Sequence, residues 1–148
     1  MQITQATMAQ VEDIAMLFNQ YRMFYRQPSN LPQAKKFIQE RLNLQDAIIF
    51  LATLDDKSVG YTLLFASWSS VSMKRVWILN DLFVLPHYRN HEIATALMNA
   101  AYNLALKTNA CQIILATEVS NTIGQNLYES LGYRQSDKFY HYTLNIEH

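Results

Sequence analysis

The chain has 148 residues, with 12 basic and 12 acidic side chains, a formal net charge of zero and hydrophobic residues at half its positions. That length and apolar share predict one globular domain over residues 1–148 and exclude disorder, while the balanced charge gives no general electrostatic hold on nucleic acid or an anionic membrane. The one cysteine, Cys111, excludes an internal disulfide; its apolar neighbours predict a small core thiol, and the absence of a basic-then-apolar opening over Met1 to Thr7 predicts a cytoplasmic protein.

Ile3 to Ala6 reads as a short strand. Thr7, with Gln10 three residues on, has the form of a capping box. The helix it opens carries an apolar stripe of Val11, Ile14, Ala15, Phe18, Tyr21 and Tyr25 and runs until Pro28. Pro32 sits near the start of a second helix that turns Phe37, Ile38 and Leu42 inward, with Lys35, Lys36, Glu40 and Arg41 toward water. Ala47 to Leu54 is an apolar run of strand length, and Asp55-Asp56-Lys57-Ser58 is a turn into a strand from Val59 to about Phe65. Ser67 to Lys74, polar around Trp68, links this hairpin to the next strand.

That strand runs from Val76 until Pro86, which cannot donate to a ladder. From Ile93 the period changes, and Ala94, Leu97, Met98, Ala101, Leu104 and Ala105 share one helical face. Between them lies Arg89-Asn90-His91-Glu92, a strand-to-helix turn where unpaired amides and the positive end of the helix dipole suit a polyanion such as a pyrophosphate. Gln112 to Thr117 is another strand, so residues 76–117 form a βαβ unit with parallel strands and a ligand site expected at their carboxyl ends. Asn121 caps a further helix carrying Ile123, Leu127 and Leu131, closed by Gly132, and Lys138 to Leu144 is the last strand. The four histidines show no metal-ligand spacing, so no metal is expected.

The order β-α-α-β-β-β-α-β-α-β, the sequence Asp81-Leu-Phe-Val-Leu-Pro followed by Tyr88-Arg89, and the ending Leu127-Tyr-Glu-Ser-Leu-Gly-Tyr133 together resemble the GNAT superfamily of acyl-CoA-dependent N-acetyltransferases. The likeness covers the whole chain and looks closest to the polyamine, diamine and histone-tail type members. It implies an α/β fold of the GNAT type, a mixed, mostly antiparallel sheet with a central parallel pair and helices on both faces.

The family's cofactor motif is Arg or Gln, two residues, Gly, one residue, then Gly or Ala. Here it reads Arg89-Asn90-His91-Glu92-Ile93-Ala94, with glutamate in place of the middle glycine. The resemblance implies acetyl-CoA as co-substrate, its pantetheine arm along the backbone of Leu82, Phe83 and Val84. Its phosphates would meet Arg89, Asn90, His91, Glu92, Ile93, Ala94 and Thr95, and Asn121 also falls among the cofactor residues.

The implied reaction is direct attack of a neutral amine on the thioester. Tyr128 stands where the family has the tyrosine that protonates the departing thiolate; its other reading is a core aromatic. Polyamine enzymes of this type have a glutamate where this chain has Asn80, which leaves Asp81 and Glu118 as candidate bases, each also readable as a solvated or capping carboxylate. Tyr21, Phe24 and Tyr25 match the region that shapes the acceptor pocket, for a small amine or a lysine-type amino group. Family members often form dimers, and aromatics of the Ser67 to Trp77 hairpin and the last strand are compatible with a homodimer. The rival reading is a non-catalytic binding or assembly module whose acetyl-CoA site Glu92 has impaired.

Overall fold

The computed structural model describes residues 1–89 and 92–148. Internal packing divides the chain into two compact units, Met1–Ala116 and Thr117–His148. The first contains β1 (Gln2–Gln5), α1 (Val11–Phe24), α2 (Leu31–Leu44), β2 (Ala47–Leu54), β3 (Lys57–Ser69), β4 (Lys74–Val84), α3 (Ile93–Lys107) and β5 (Gln112–Ile114). The sheet order is β1-β2-β3-β4-β5, antiparallel throughout except for the parallel pair β4 and β5.

Local chemistry sets most of these boundaries. Thr7 and Gln10 form the expected reciprocal capping box, with the Thr7 N–H donating to Gln10 Oε1 at 2.7 Å. Asn30 caps α2 by accepting from the Gln33 N–H at 3.2 Å, with Pro32 in the first turn, where its missing N–H costs nothing. Asp55 and Asp56 both take positive φ, 50° and 61°, so a two-residue turn of the primed type joins β2 to β3 directly and β3 starts at Lys57 rather than Val59.

The two faces of the sheet are covered separately. On one, Val11, Ile14 and Leu17 of α1 and Ile38 of α2 pack with Ile49, Leu51, Tyr61, Leu63 and Phe83. On the other, Ile93 and Leu97 of α3 pack with Ala52, Val59 and Val84. The strand alternation accounts for this, since neighbours such as Phe83 and Val84 point to opposite faces.

Four expectations are corrected. The stretch from Ser67 to Lys74 is mostly ribbon rather than link: β3 and β4 stay paired to Ser69 opposite Lys74 and reverse over Ser70 to Met73. The Arg75 guanidinium, 4.0 Å from the centre of the Trp68 ring directly across the ladder, helps hold it. The strand expected to reach Thr117 ends at Ile114, because it pairs with β4 only over Val76 to Ile78. The last strand expected over Lys138 to Leu144 lies in the second unit, which within itself forms no strand there. The first unit thus has the expected mostly antiparallel sheet with one parallel pair, β4 and β5. Cys111, expected in the core, is exposed beside β5.

The second unit contains α4 (Thr122–Ser130). Asn121 caps it as expected, its Oδ1 accepting from the Gly124 N–H at 3.1 Å, and the helix closes over Gly132 at φ 94°. A Cβ at Gly124 would fall 2.5 Å from the Asn121 side chain, so glycine permits the cap.

Candidate functional site

The chemistry-bearing stretch begins with a kink in β4. Leu63 pairs with Asp81 while Leu64 pairs with Leu79, so Asn80 is the extra residue of a β-bulge. Asp81 is turned inward and only 3% exposed. Its carboxyl accepts from the Tyr61 hydroxyl at 2.7 Å on Oδ2 and from the Asn80 side-chain amide at 2.7 Å on Oδ1. Its carbonyl accepts from the Thr62 hydroxyl at 2.8 Å, and the Asn80 carbonyl from the Tyr21 hydroxyl at 3.3 Å. Burial raises the Asp81 pKa above the usual carboxylate range, against the opposing effect of these two hydrogen bonds. The Tyr61 pKa is pushed well up, first by burial and then by the neighbouring Asp81 charge.

Above this pair stand the aromatics of α1. Tyr21 meets Tyr25, Tyr61 and Phe83 edge-on with ring centres 5.0, 6.1 and 6.2 Å apart, and Phe24 meets Tyr25 at 5.3 Å. The expected acceptor residues Tyr21, Phe24 and Tyr25 are thus one cluster. Arg89 joins it to the strand-to-helix turn: its Nε–H donates to the Val84 carbonyl at 3.1 Å and its guanidinium lies 5.8 Å from the Phe24 ring centre.

Beyond Ile78 the edge of β4 away from β3 has no partner strand among the described residues. The Leu85 N–H bonds to the Val59 carbonyl at 2.9 Å, toward β3. Antiparallel alternation then aims the backbone groups of Leu82 and Val84 at the open edge, and those of Phe83 at β3. At the end of that edge α3 starts without a side-chain cap among the described residues. Its first described bond runs from the Ala96 N–H to the Glu92 carbonyl at 3.0 Å, which leaves the amides of Ile93, Ala94 and Thr95 ahead of the ladder.

Glu92 has φ 60° and ψ 16°, the left-handed conformation that glycine adopts freely, and its side chain is exposed. Asn90 and His91 lie outside the described residues.

The other expected site residues belong to the second unit. Tyr128 is on α4, its ring centre 6.1 Å from that of Tyr133. Glu118 is a turn residue whose carbonyl accepts from the Asn121 N–H at 2.9 Å. Asn121 is the cap of α4.

Tyr61 and Thr62 were not singled out by sequence. The available signal was a hydroxyl-tipped pair inside the apolar run from Val59 to Phe65, where buried hydroxyls need partners. Among the described residues no group of His, Cys, Asp or Glu is arranged to hold a metal ion, and no helix is long and apolar enough to cross a membrane.

The family described as acetyltransferase (GNAT) matches residues 10–133. The chain is 43% identical over 146 residues to YhfO, an uncharacterized N-acetyltransferase of Bacillus subtilis, with 99% of this chain and 98% of the relative covered. The crystal structure of a probable acetyltransferase superposes with a TM-score of 0.96 at 39% identity, covering 100% of this chain and 99% of the other. The aminoglycoside N-acetyltransferase AAC(6')-Iy, solved in complex with CoA, has a TM-score of 0.81 at 20% identity, covering 98% and 95%, and shares the fold.

Proposed function

This chain belongs to the GNAT family of acetyltransferases, and from that premise we propose that it transfers an acetyl group from acetyl-CoA to a primary amine, that of a small molecule or a lysine-type side chain, by direct attack. The observation that carries the proposal is the open edge of β4 running up to the uncapped start of α3. The backbone groups of Leu82 and the Val84 N–H offer an amide-bearing arm a ladder to pair with, and the amides of Ile93 to Thr95 offer phosphates a helix N-terminus. The CoA complex of the structural neighbour AAC(6')-Iy supports the same choice of co-substrate.

Bound acetyl-CoA supplies an activated thioester carbonyl. Tyr21, Phe24 and Tyr25 present ring faces and edges to a cationic amine, and the Arg89 guanidinium near Phe24 supports this by showing a cation in that position. Asp81 and Glu118 are our candidates to take the ammonium proton. Burial raises the Asp81 pKa in the direction a base near neutrality needs. We assign Tyr128 the return of a proton to the departing thiolate, a task suited to a phenol whose pKa of about 10 lies not far above a thiol's. The lone cysteine supports a reducing, cytoplasmic compartment, and the exposed apolar side chains support a homodimer.

The test is isothermal titration with acetyl-CoA followed by a thiol-release screen over primary amines. Micromolar binding and amine-dependent thiol release are expected, and absence of both overturns the proposal. Tyr128→Phe should lower kcat about 100-fold with acetyl-CoA affinity unchanged. Unaltered turnover with chemistry rate-limiting removes Tyr128 from the acid role.

A further inference from the structure

We propose that Asn19 is a positioning residue for the acceptor amine: it ties the loop of residues 25–30 back onto α1 and thereby fixes the border of the aromatic cluster. This rests on the acceptor reading of Tyr21, Phe24 and Tyr25 above and names the residue that holds their surroundings in place.

Asn19 is a polar residue in an apolar position. It is 9% exposed, on the same helix that buries Val11, Ile14, Ala15 and Leu17. Asparagine is a poor helix former, and burying its amide costs free energy unless both ends are bonded. Here both are. Oδ1 accepts from the Asn30 N–H at 2.9 Å, and Nδ2–H donates to Ser29 Oγ at 3.0 Å. Alanine or leucine would suit the helix better, so the two bonds account for the residue at this position.

Those bonds set the course of the loop. α1 ends where Arg26 turns left-handed at φ 64°, its N–H donating to the Met23 carbonyl at 2.9 Å and the Gln27 N–H to the Arg22 carbonyl at 3.0 Å. A residue other than glycine stays at such a φ only where its surroundings hold it. The chain leaves the helix at Tyr25, whose ring meets Tyr21 and Phe24, and returns to it at Asn19. Residues 26–30 are all exposed, so burial gives the loop little hold. Asn30 in turn caps α2. One buried side chain thus joins the last turns of α1, the loop and the start of α2.

A loop fixed at both ends presents the same border to every amine that arrives. Released at one end, it must be ordered again at each binding event, a cost that falls on acceptor binding and leaves the chemical step unchanged.

The test measures thiol release from acetyl-CoA with putrescine, spermidine and Nα-acetyl-lysine as acceptors, in the unaltered protein and in Asn19→Ala, Ser29→Ala and Asn19→Asp. Asn19→Ala should raise KM for the accepted amine about tenfold, with kcat and acetyl-CoA affinity held within about twofold. Ser29→Ala, at an exposed position, loses one of the two bonds and should raise KM about threefold. Asn19→Asp should recover most of the loss, because a carboxylate still accepts from the Asn30 N–H and the Ser29 hydroxyl can turn to donate. The Asn30 amide should exchange with solvent about tenfold faster in Asn19→Ala. An amine KM unchanged in Asn19→Ala overturns the proposal, whatever the Asn30 amide does. A joint fall of kcat and acetyl-CoA affinity that Asn19→Asp does not rescue also overturns it, by showing that Asn19 supports only the fold. Thiol release with none of the three amines by the unaltered protein overturns the acetyltransferase reading and the positioning role together, whereas release that is insensitive to Asn19 overturns the positioning role alone.

Discussion

The bulge at Asn80 and the turn at Glu92 bracket one stretch of chain and are held by opposite means. At the bulge an inward carboxylate is enclosed, its two oxygens met by Tyr61 and Asn80 and its carbonyl by Thr62. At the turn nothing among the described residues encloses Glu92, and what defines the position is a left-handed backbone with an exposed side chain. A geometry built from buried hydrogen bonds loses stability when any partner is removed, whereas one built from backbone conformation against the residue's own preference gains when the residue is exchanged for one that fits. Changes in the same stretch should therefore move stability in opposite directions.

The largest effect is expected from Asp81→Ala, which leaves the buried Tyr61 hydroxyl and the Asn80 amide without their acceptor. Urea unfolding should show a loss of about 3 kcal/mol, and a loss under about 1 kcal/mol would mean that the carboxyl does not pin the bulge. Asp81→Asn keeps an acceptor for Tyr61 and should lose less. Next comes Tyr61→Phe, which takes one donor from a charged acceptor and should cost about 2 kcal/mol.

The pH dependence sharpens the same point. The Asp81 pKa is higher in the folded chain than in the unfolded one, so in the window between them the folded state binds more protons. Stability from this residue is full below the unfolded carboxylate pKa and is lost as pH rises through the folded one. Asp81→Asn should remove that downward slope. Tyr61→Phe should shift it to higher pH, because the Tyr61 hydrogen bond lowers the Asp81 pKa. A slope unchanged in both variants would assign it to another group.

What was legible in the sequence follows the same division between local and distant causes. The strand from Ala47 to Leu54, the capping box at Thr7, the cap at Asn121 and the left-handed Gly132 were readable because each depends on residues within a few positions of one another. The strand expected over Lys138 to Leu144 rested on alternation alone, which states only that a segment can pair, and within its own unit it meets no partner strand. Cys111 had apolar neighbours in sequence but stands beside an edge strand that leaves it uncovered. In the site, the stretch from Asp81 to Ala94 was marked by its own residues. The bond from Tyr61 to Asp81 was not, since it depends on a one-residue register shift that no local pattern records. Nor did any local pattern show that Arg89 would reach Val84 and Phe24.

The smallest effect is expected at the turn, where it separates two properties of one side chain. Glu92→Gly removes the Cβ that opposes a φ of 60° and should stabilise the chain by about 1 kcal/mol, seen as a melting temperature roughly 3 °C higher. It also removes a carboxylate from a position we assign to the pyrophosphate, and should tighten acetyl-CoA binding about tenfold. Glu92→Gln keeps the Cβ and removes only the charge. Titration and thermal unfolding of the two variants side by side then divide the effects: tighter binding by both with a stability gain only in the glycine variant assigns affinity to charge and stability to backbone. Tighter binding by the glycine variant alone assigns both to the space and conformation at the backbone. No change of affinity in either would mean that the exposed carboxylate points away from the phosphates, so that Glu92 affects the fold alone.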